Sequence, residues 1–253
     1  MKKKKKACIL TVARQEYEFA PIWYNYYSQF FDSRDMYCLI NEEGDTSFEG
    51  FDINVEYRES DLSIGLHQSL VNNTTQKIKQ LFEEYEWVVF TETDELIVPN
   101  PSVYKNFTDI FNSETNQRCC GYNLIQHESE EAFDSERSIL SQRGYWVRTP
   151  QYDKTLILKQ PVTYALGYHH CKSETHTNKN IVLIHLHYFD RDIMLNKLNR
   201  TRKFDWGSEA VNSGIQNKSE DKFALSRVKN YRLRCEKIPC ELYVDKQTGE
   251  FII

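Results

Sequence analysis

The chain has 253 residues, of which 40 % are hydrophobic and 27 % charged, and its formal net charge is −5 at pH 7. This composition is typical of a globular domain, and its 16 tyrosines and 14 phenylalanines argue against a disordered chain. The negative charge disfavours a surface for duplex nucleic acid, which generally needs an excess of Lys and Arg.

Residues 1–6 are almost all lysine and form a predicted basic tail in front of the apolar run 7–13. The run is only about seven residues long and no small-residue cleavage site follows, so we interpret it as a buried first strand. No apolar stretch approaches the ~20 residues that a membrane-spanning helix needs. The seven cysteines show neither zinc-site nor disulfide spacing. We therefore predict a cytoplasmic protein, with the lysine tail as a candidate peripheral contact with the inner face of a membrane.

Strands and helices alternate in the first half of the chain, which is typical of a parallel α/β sheet. Apolar runs predict strands at 7–13, 36–40, 53–57 and 87–90, and helical spacing predicts helices at 19–30 and 66–85. The run 87–90 is apolar without alternation, as expected of a strand covered on both faces. In the less regular second half we predict strands at 155–158, 162–167 and 181–187. Helices are predicted at 190–203, with Asp190 as the N-cap, and at 219–234.

Three acids, Glu92, Asp94 and Glu95, follow the predicted strand 87–90 directly. In open α/β sheets, ligands bind beyond the carboxyl ends of the strands. Acids at this spacing repel one another unless a cation or a basic side chain lies between them. Carboxylate oxygens suit Mg²⁺ or Mn²⁺, and these ions also bridge phosphates. The pattern indicates a divalent metal site, and the alternative is a solvated turn.

Two histidines, His185 and His187, end the predicted strand 181–187. Their spacing places them on the face of Ile181 and Leu183, so that this face changes from apolar to imidazole at its carboxyl end. Neutral imidazole is a common ligand for Mn²⁺, which makes His185 a candidate ligand of the metal at Asp94. The other interpretation is a hydrogen-bonded core histidine.

Three segments carry a resemblance to a known family. Residues 92–96 (Glu-Thr-Asp-Glu-Leu) resemble the Asp-x-Asp-Glu-Phe motif of family 2-like GT-A glycosyltransferases, with Glu and Leu in place of the first Asp and the Phe. Residues 11–23 resemble the family's first strand and loop, and 167–169 and 185–188 resemble its Gly-x-His and His-Tyr segments. The resemblance implies a GT-A fold, which is a single α/β domain with a mostly parallel central sheet flanked by helices.

The resemblance also implies roles for individual residues. It places the nucleotide-binding half at about 7–100 and the acceptor half at about 101–253 of one domain that covers residues 7–253. The metal, Mn²⁺ or Mg²⁺, would be held by Asp94, Glu92 and His185. Implied nucleotide contacts are Thr11, Ala13, Arg14, Gln68 and Glu92, and implied contacts of the donor or acceptor sugar are Glu95, Lys154, His169 and His187. An inverting enzyme also needs a carboxylate that takes the acceptor proton, and our candidates for it are Glu128 and Asp153.

The expected reaction is metal-dependent transfer of a sugar from a nucleoside-diphosphate sugar, with UDP as the first choice of nucleotide. The acceptor would be a hydroxyl of a glycan, a lipid-linked molecule or a protein, and the resemblance favours inversion. One alternative is a sugar nucleotidyltransferase, although the Gly-rich N-terminal loop usual in that class is missing here. Another is a non-catalytic carbohydrate-binding protein of the same fold. A zinc hydrolase is disfavoured because the sequence contains no His-Glu-x-x-His.

Overall fold

A single sheet organises the protein, for which we describe a computed structural model over residues 3–204, 206, 220–239 and 242. The sheet strands in the described residues, β1 to β10 in chain order, are Lys5–Ala13, Met36–Ile40, Asn54–Tyr57, Tyr85–Glu92, Glu95–Pro99, Asn116–Leu124, Tyr145–Arg148, Thr155–Leu158, Thr175–His185 and Glu236–Lys237. The α-helices there, α1 to α5, are Ala20–Tyr27, Leu66–Glu84, Ile139–Gln142, Arg191–Thr201 and Asp221–Arg232. This confirms an α/β domain whose sheet is flanked by helices.

The first four strands form a parallel block in the order β3-β2-β1-β4. The side chains of residues 8–10 in β1 and 88–90 in β4 are completely buried, so both faces of these central strands are covered. Helix α2 begins after Gly65, whose φ of 82° lies in the left-handed region that favours glycine. It ends at Glu84, where the chain turns directly into β4. The predicted strands and helices of this half are therefore confirmed, with ends shifted by a few residues.

The second half of the sheet is largely antiparallel. β8 pairs antiparallel with β4 and with β6, β7 pairs antiparallel with β6, and β5 pairs antiparallel with β9. The parallel pair of this half joins β6 and β9, and its register places Asn123 beside His185. The pairing of β5 with β9 places Glu95 beside the same histidine. These two ladders bring the end of β9 to the acids that follow β4.

Several predictions for the second half need correction. The predicted strand 162–167 is absent. Val162 and Tyr164 pack into the core and alternate with exposed residues, which explains the strand-like pattern. The segment is not a strand, because Tyr164 makes only an isolated bridge to Cys171. The chain then turns through Gly167 and Tyr168, which have φ of 73° and 59°. Strand β9 ends at residue 185, so His187 lies in the following turn. We did not predict β5, β6, β7, β10 or the short helix α3.

Helix α4 confirms the predicted cap, because the Asp190 side chain accepts hydrogen bonds from the backbone N–H groups of Asp192 and Ile193. Helix α5 begins at residue 221, and the predicted start at 219 lies outside the described residues. Over the described ranges, no helix is both long and apolar enough to cross a membrane.

Candidate functional site

A cavity of about 440 Å³ lies at the carboxyl ends of β1 and β4, where ligands bind in open α/β sheets. Its walls come from the loop after β1, the start of α2, the β4–β5 turn, two turns near residues 151 and 167, the end of β9, and helices α4 and α5. Its charged and imidazole-bearing lining residues are Arg14, Glu16, His67, Glu92, Asp94, Lys154, His169, His185, His187, Lys197 and Arg227.

The β4–β5 turn carries the acids, and it is anchored on both sides. The Thr93 hydroxyl donates to the Val12 carbonyl at 2.8 Å and lies 3.2 Å from the hydroxyl of Thr11. The Asp94 carbonyl accepts a hydrogen bond from the Leu186 N–H at 2.8 Å, which joins the turn to the residue after β9. Thr11 is thus buried beneath the cavity and supports the turn rather than lining the cavity.

Lys154 neutralises two of the acids. Its Nζ lies 2.7 Å from Glu95 Oε1 and forms a short contact with Glu92 Oε2. Burial disfavours the ammonium form, but the two carboxylates outweigh burial and raise the pKa of Lys154. Burial, the largest effect, raises the pKa of Glu95, whereas Lys154 outweighs burial at Glu92 and lowers its pKa. Glu95 is fully buried and does not line the cavity.

Lys197 on α4 joins the other acids. Its Nζ lies 2.9 Å from Asp94 Oδ2 and 2.9 Å from Glu16 Oε2. Burial would raise the pKa of Asp94, but its basic neighbours, chiefly the Lys197 ammonium, outweigh burial and hold that pKa well below its usual range. Glu16 behaves in the opposite way, because burial outweighs Lys197 and raises its pKa to about 7. Lys197 and Glu16 were not among our predicted site residues. The sequence does contain a signal for Lys197, because a lysine beside Met194 and Leu198 on the buried side of a helix indicates a buried charge.

His185 is held in one orientation by a chain of hydrogen bonds. Thr149 Oγ1 donates to the Val147 carbonyl at 3.0 Å and accepts from Asn123 Nδ2 at 2.9 Å. The amide oxygen of Asn123 therefore faces His185 Nδ1, at 2.7 Å. An amide oxygen only accepts, so Nδ1 donates to it and Nε2 is the ring nitrogen that faces the acids. That Nε2 lies 3.5 Å from Asp94 Oδ2, and a cation bound between these two atoms would be held by both.

These residues fit part of a divalent metal site. In the parts of the chain that the structure describes, no group of three His, Cys, Asp or Glu side chains forms a metal-ligand set. Mg²⁺ sites, however, often use one or two carboxylates and complete their coordination with water and substrate phosphate. Asp94 offers a carboxylate for such a site and His185 an imidazole nitrogen beside it, whereas Glu92 is turned towards Lys154. The ion-paired cluster also contains more carboxyl groups than ammonium groups, an imbalance that a divalent cation would reduce.

The loop after β1 brings Ala13 and Arg14 to the cavity. The Arg14 guanidinium lies 4.7 Å from the Phe204 ring centroid, and its Nε lies 3.3 Å from Glu42 Oε2. The next residue, Gln15, has a φ of 57°, and its N–H donates to Asp45 Oδ2 at 2.6 Å. A positive φ is strained in a residue other than glycine and persists only where neighbouring contacts hold it, as the Asp45 carboxylate does here.

Gln68 does not line the cavity, because its side chain points along α2 and donates to Asn72 Oδ1 at 2.9 Å. His67, one position earlier on the same helix, lines the cavity instead. Its Nε2 accepts a hydrogen bond from the Gly167 N–H at 2.9 Å.

One wall of the cavity is aromatic. The Tyr152 ring stacks on His185 with centroids 4.1 Å apart, and His187 lies parallel to His185 at 5.8 Å. Tyr231 comes to the same wall from α5. Burial lowers the pKa of His187 to about 3 and that of His169 to about 4, so both imidazoles are neutral at pH 7. His169 and His187 therefore line the cavity as uncharged residues, and their contact with a sugar stays a prediction.

The two predicted catalytic carboxylates do not line the cavity. The Glu128 side chain is 76 % exposed and lies 3.8 Å from Arg232. Asp153 accepts from the Gly121 N–H and pairs with Arg148, both at 2.8 Å. Successive side chains of an extended segment point to opposite sides, so Asp153 faces away because Lys154 faces the acids. The described carboxylates that line the cavity are Glu16, Glu92 and Asp94.

No protein-family model matches the chain, and no curated protein matches it in sequence. Solved structures do match it, among them CMP:2-keto-3-deoxy-manno-octonic acid synthetase complexed with CTP. That match has 14 % identity, covers 89 % of this chain and 86 % of that chain, and has a TM-score of 0.33. At this identity and TM-score it carries no argument about function, and the resemblance to family 2-like GT-A enzymes stays a prediction.

Proposed function

We propose that the cavity binds a nucleoside-diphosphate sugar and that the protein transfers the sugar to an acceptor hydroxyl. The observation that carries the proposal is the position of Asp94, directly beyond the carboxyl end of β4 and in contact with both His185 and Lys197. Residues separated by about a hundred positions in the chain thus meet in one cavity at the edge where an α/β sheet binds ligands.

Among the residues that the structure describes, four cationic side chains line the cavity wall, and three of them, Arg14, Lys154 and Lys197, suit the anionic diphosphate of such a donor. A divalent ion bound by Asp94 and His185 would act as a Lewis acid and offset the charge that develops on the leaving diphosphate. The protein itself holds Asp94 in its ionised form and fixes the ring of His185 through Asn123.

The aromatic wall suits the acceptor. Tyr152 and Tyr231 bring aromatic rings to it, and Thr149 and Gln151 bring polar side chains beside them. The acceptor hydroxyl must lose its proton, and Glu92, with 34 % of its side chain exposed, is the most exposed of the carboxylates that line the cavity in the described residues. We therefore propose that Glu92 takes the proton from the acceptor hydroxyl.

A sugar nucleotidyltransferase, the alternative that the sequence leaves open, is the second candidate. The loop after β1 disfavours this second candidate. Sugar nucleotidyltransferases have a Gly-rich basic loop at this place, whereas this loop carries Glu16 and Glu18, which pair with Lys197 and Arg200. The two candidates differ in the reaction that they catalyse. Both require the cavity to bind a nucleotide and a sugar.

One experiment separates these reactions. The protein is incubated with Mn²⁺ and a panel of nucleotide sugars, and release of nucleoside diphosphate is measured with and without candidate acceptors. In parallel it is incubated with nucleoside triphosphates and sugars or sugar phosphates, and release of pyrophosphate is measured. Nucleoside diphosphate without pyrophosphate supports the proposal, and pyrophosphate supports the second candidate. Binding without either product would identify a non-catalytic binding protein.

A further inference from the structure

Lys197 occupies an unusual position for a lysine. Only 6 % of its side chain is exposed, and it comes from the buried side of α4, next to Met194 and Leu198. Burying an ammonium group is costly unless it is paired and hydrogen-bonded. An aliphatic residue at this position would fill the same space without that cost, so the charge itself needs an explanation.

The orientation of α4 is held at its N-terminus. Asp190 Oδ1 caps the helix, and its Oδ2 accepts from Arg143 Nη2 at 3.1 Å, in an ion pair that is almost completely buried. One turn beyond Lys197, Arg200 pairs with Glu18 through two hydrogen bonds of 2.8 and 2.6 Å. These contacts hold the Lys197 side chain in the cavity wall.

At the cavity, the ammonium bridges two separate elements. Glu16 belongs to the loop after β1 and Asp94 to the β4–β5 turn, and each carboxylate oxygen lies 2.9 Å from Nζ. An ammonium group has three N–H donors, and the two carboxylates take two of them, while the Phe19 ring centroid lies 4.6 Å from Nζ. Lys197 itself lines the cavity together with both carboxylates, so its charge is in reach of a molecule bound there.

We propose that Lys197 binds the diphosphate of the donor directly, with Glu16 and Asp94 holding the ammonium in place before the donor arrives. This inference rests on the proposed function, because it assumes a diphosphate in the cavity. The competing explanation is structural: Lys197 would only neutralise its two acidic neighbours. The two explanations predict different diphosphate affinities for a variant that lacks both the Lys197 ammonium and one of its acidic partners.

The test uses UDP, or whichever of UDP, GDP, CDP and ADP the wild-type protein binds best, with Mn²⁺ present. Affinity is measured calorimetrically for wild type, Lys197→Met, Lys197→Arg, Glu16→Gln and the double variant Lys197→Met/Glu16→Gln. We expect Lys197→Met to weaken diphosphate binding at least tenfold, Lys197→Arg to weaken it less, and the double variant to stay as weak as Lys197→Met. The corresponding nucleoside, which lacks the diphosphate, should bind all variants alike. Arg191→Met removes a cation from an exposed position of the same helix, outside the cavity wall, and should bind like wild type.

Two results would overturn the inference alone: wild-type affinity in folded Lys197→Met, or recovery of wild-type affinity in the double variant. The double variant guards against misfolding, because it removes the ammonium together with one of the carboxylates that would otherwise be buried without its partner. If the wild-type protein binds none of the four nucleotides, the proposed function fails and the inference fails with it. The inference and the function can thus be told apart.

Discussion

The Nδ1 atom of His185 lies 2.7 Å from Oδ1 of Asn123, and this contact determines which ring nitrogen faces the acids. The two residues are neighbours across the parallel pair of β6 and β9, and Asn123 is itself oriented by Thr149. Metal-binding histidines commonly donate their second ring N–H to such an oxygen, and loss of that partner typically weakens metal binding 10- to 100-fold. In the proposed metal site the contact would serve the function of the cavity as well as its packing.

The first prediction concerns this contact. Asn123→Leu should weaken Mn²⁺ binding at least tenfold, because the His185 ring loses the acceptor that fixes its tautomer. Thr149→Val, which removes only the hydroxyl that orients Asn123, should have a smaller effect. Mn²⁺ affinity is measured by electron paramagnetic resonance on variants confirmed folded by circular dichroism. Unchanged affinity in Asn123→Leu would assign the contact to packing.

The second prediction links the metal to the donor. UDP should raise the thermal stability of the protein much more with Mn²⁺ than with EDTA, because Asp94 and the diphosphate would share the ion. A ligand at a hundredfold excess over its Kd adds about 2.7 kcal/mol to the free energy of unfolding. In Asp94→Asn the difference between Mn²⁺ and EDTA should disappear, as measured by thermal shift. Equal UDP shifts under both conditions in the wild-type protein would argue against the metal.

The third prediction concerns Glu92. Glu92→Gln should retain donor binding but lose at least a hundredfold in transfer rate, because general base catalysis typically contributes 10²- to 10⁴-fold. Glu92→Asp keeps the carboxylate and should retain donor binding with part of the activity. Donor Kd and the rate of nucleoside diphosphate release are measured separately. A Glu92→Gln variant with wild-type turnover would show that a group other than Glu92 takes the acceptor proton.

The fourth prediction uses two acids of one loop whose pKa values shift in opposite directions. Burial raises the pKa of Glu16 to about 7, so the folded state binds its proton more tightly than the unfolded state does. That contribution to stability is complete below the unfolded pKa of about 4.5 and is lost as the pH rises to 7. At Glu18 burial is outweighed by Arg200 and the pKa is lowered, so its contribution is present above the unfolded pKa and lost only in acid.

Urea unfolding in EDTA between pH 5 and 8 tests this difference. Relative to wild type, Glu16→Gln should become progressively more stable as the pH rises through that range. Glu18→Gln, the matched control, should differ from wild type by a constant amount over the same range. A constant difference for Glu16→Gln would mean that Glu16 is ionised in the folded protein throughout.

The sequence predicted the parallel half of the fold and the position of the acids, because both depend on local patterns. The uninterrupted apolar run in β4, the helical spacing of α2 and the Asp190 cap each depend on residues close together in the chain. Asp94 follows β4 directly, so predicting the strand also predicted which edge of the sheet would carry the acid.

What surrounds Asp94 was decided by tertiary structure. Lys197 meets Asp94 across 103 positions, through the docking of α4, and His185 arrives through the pairing of β9 with β5 and β6. The side to which a residue points depends on register, and this is why Lys154 faces the acids while Asp153 faces Arg148. Strand register and helix docking are set by long-range packing of whole faces, and a one-residue slip reverses every side chain. A local pattern carries no information about that choice.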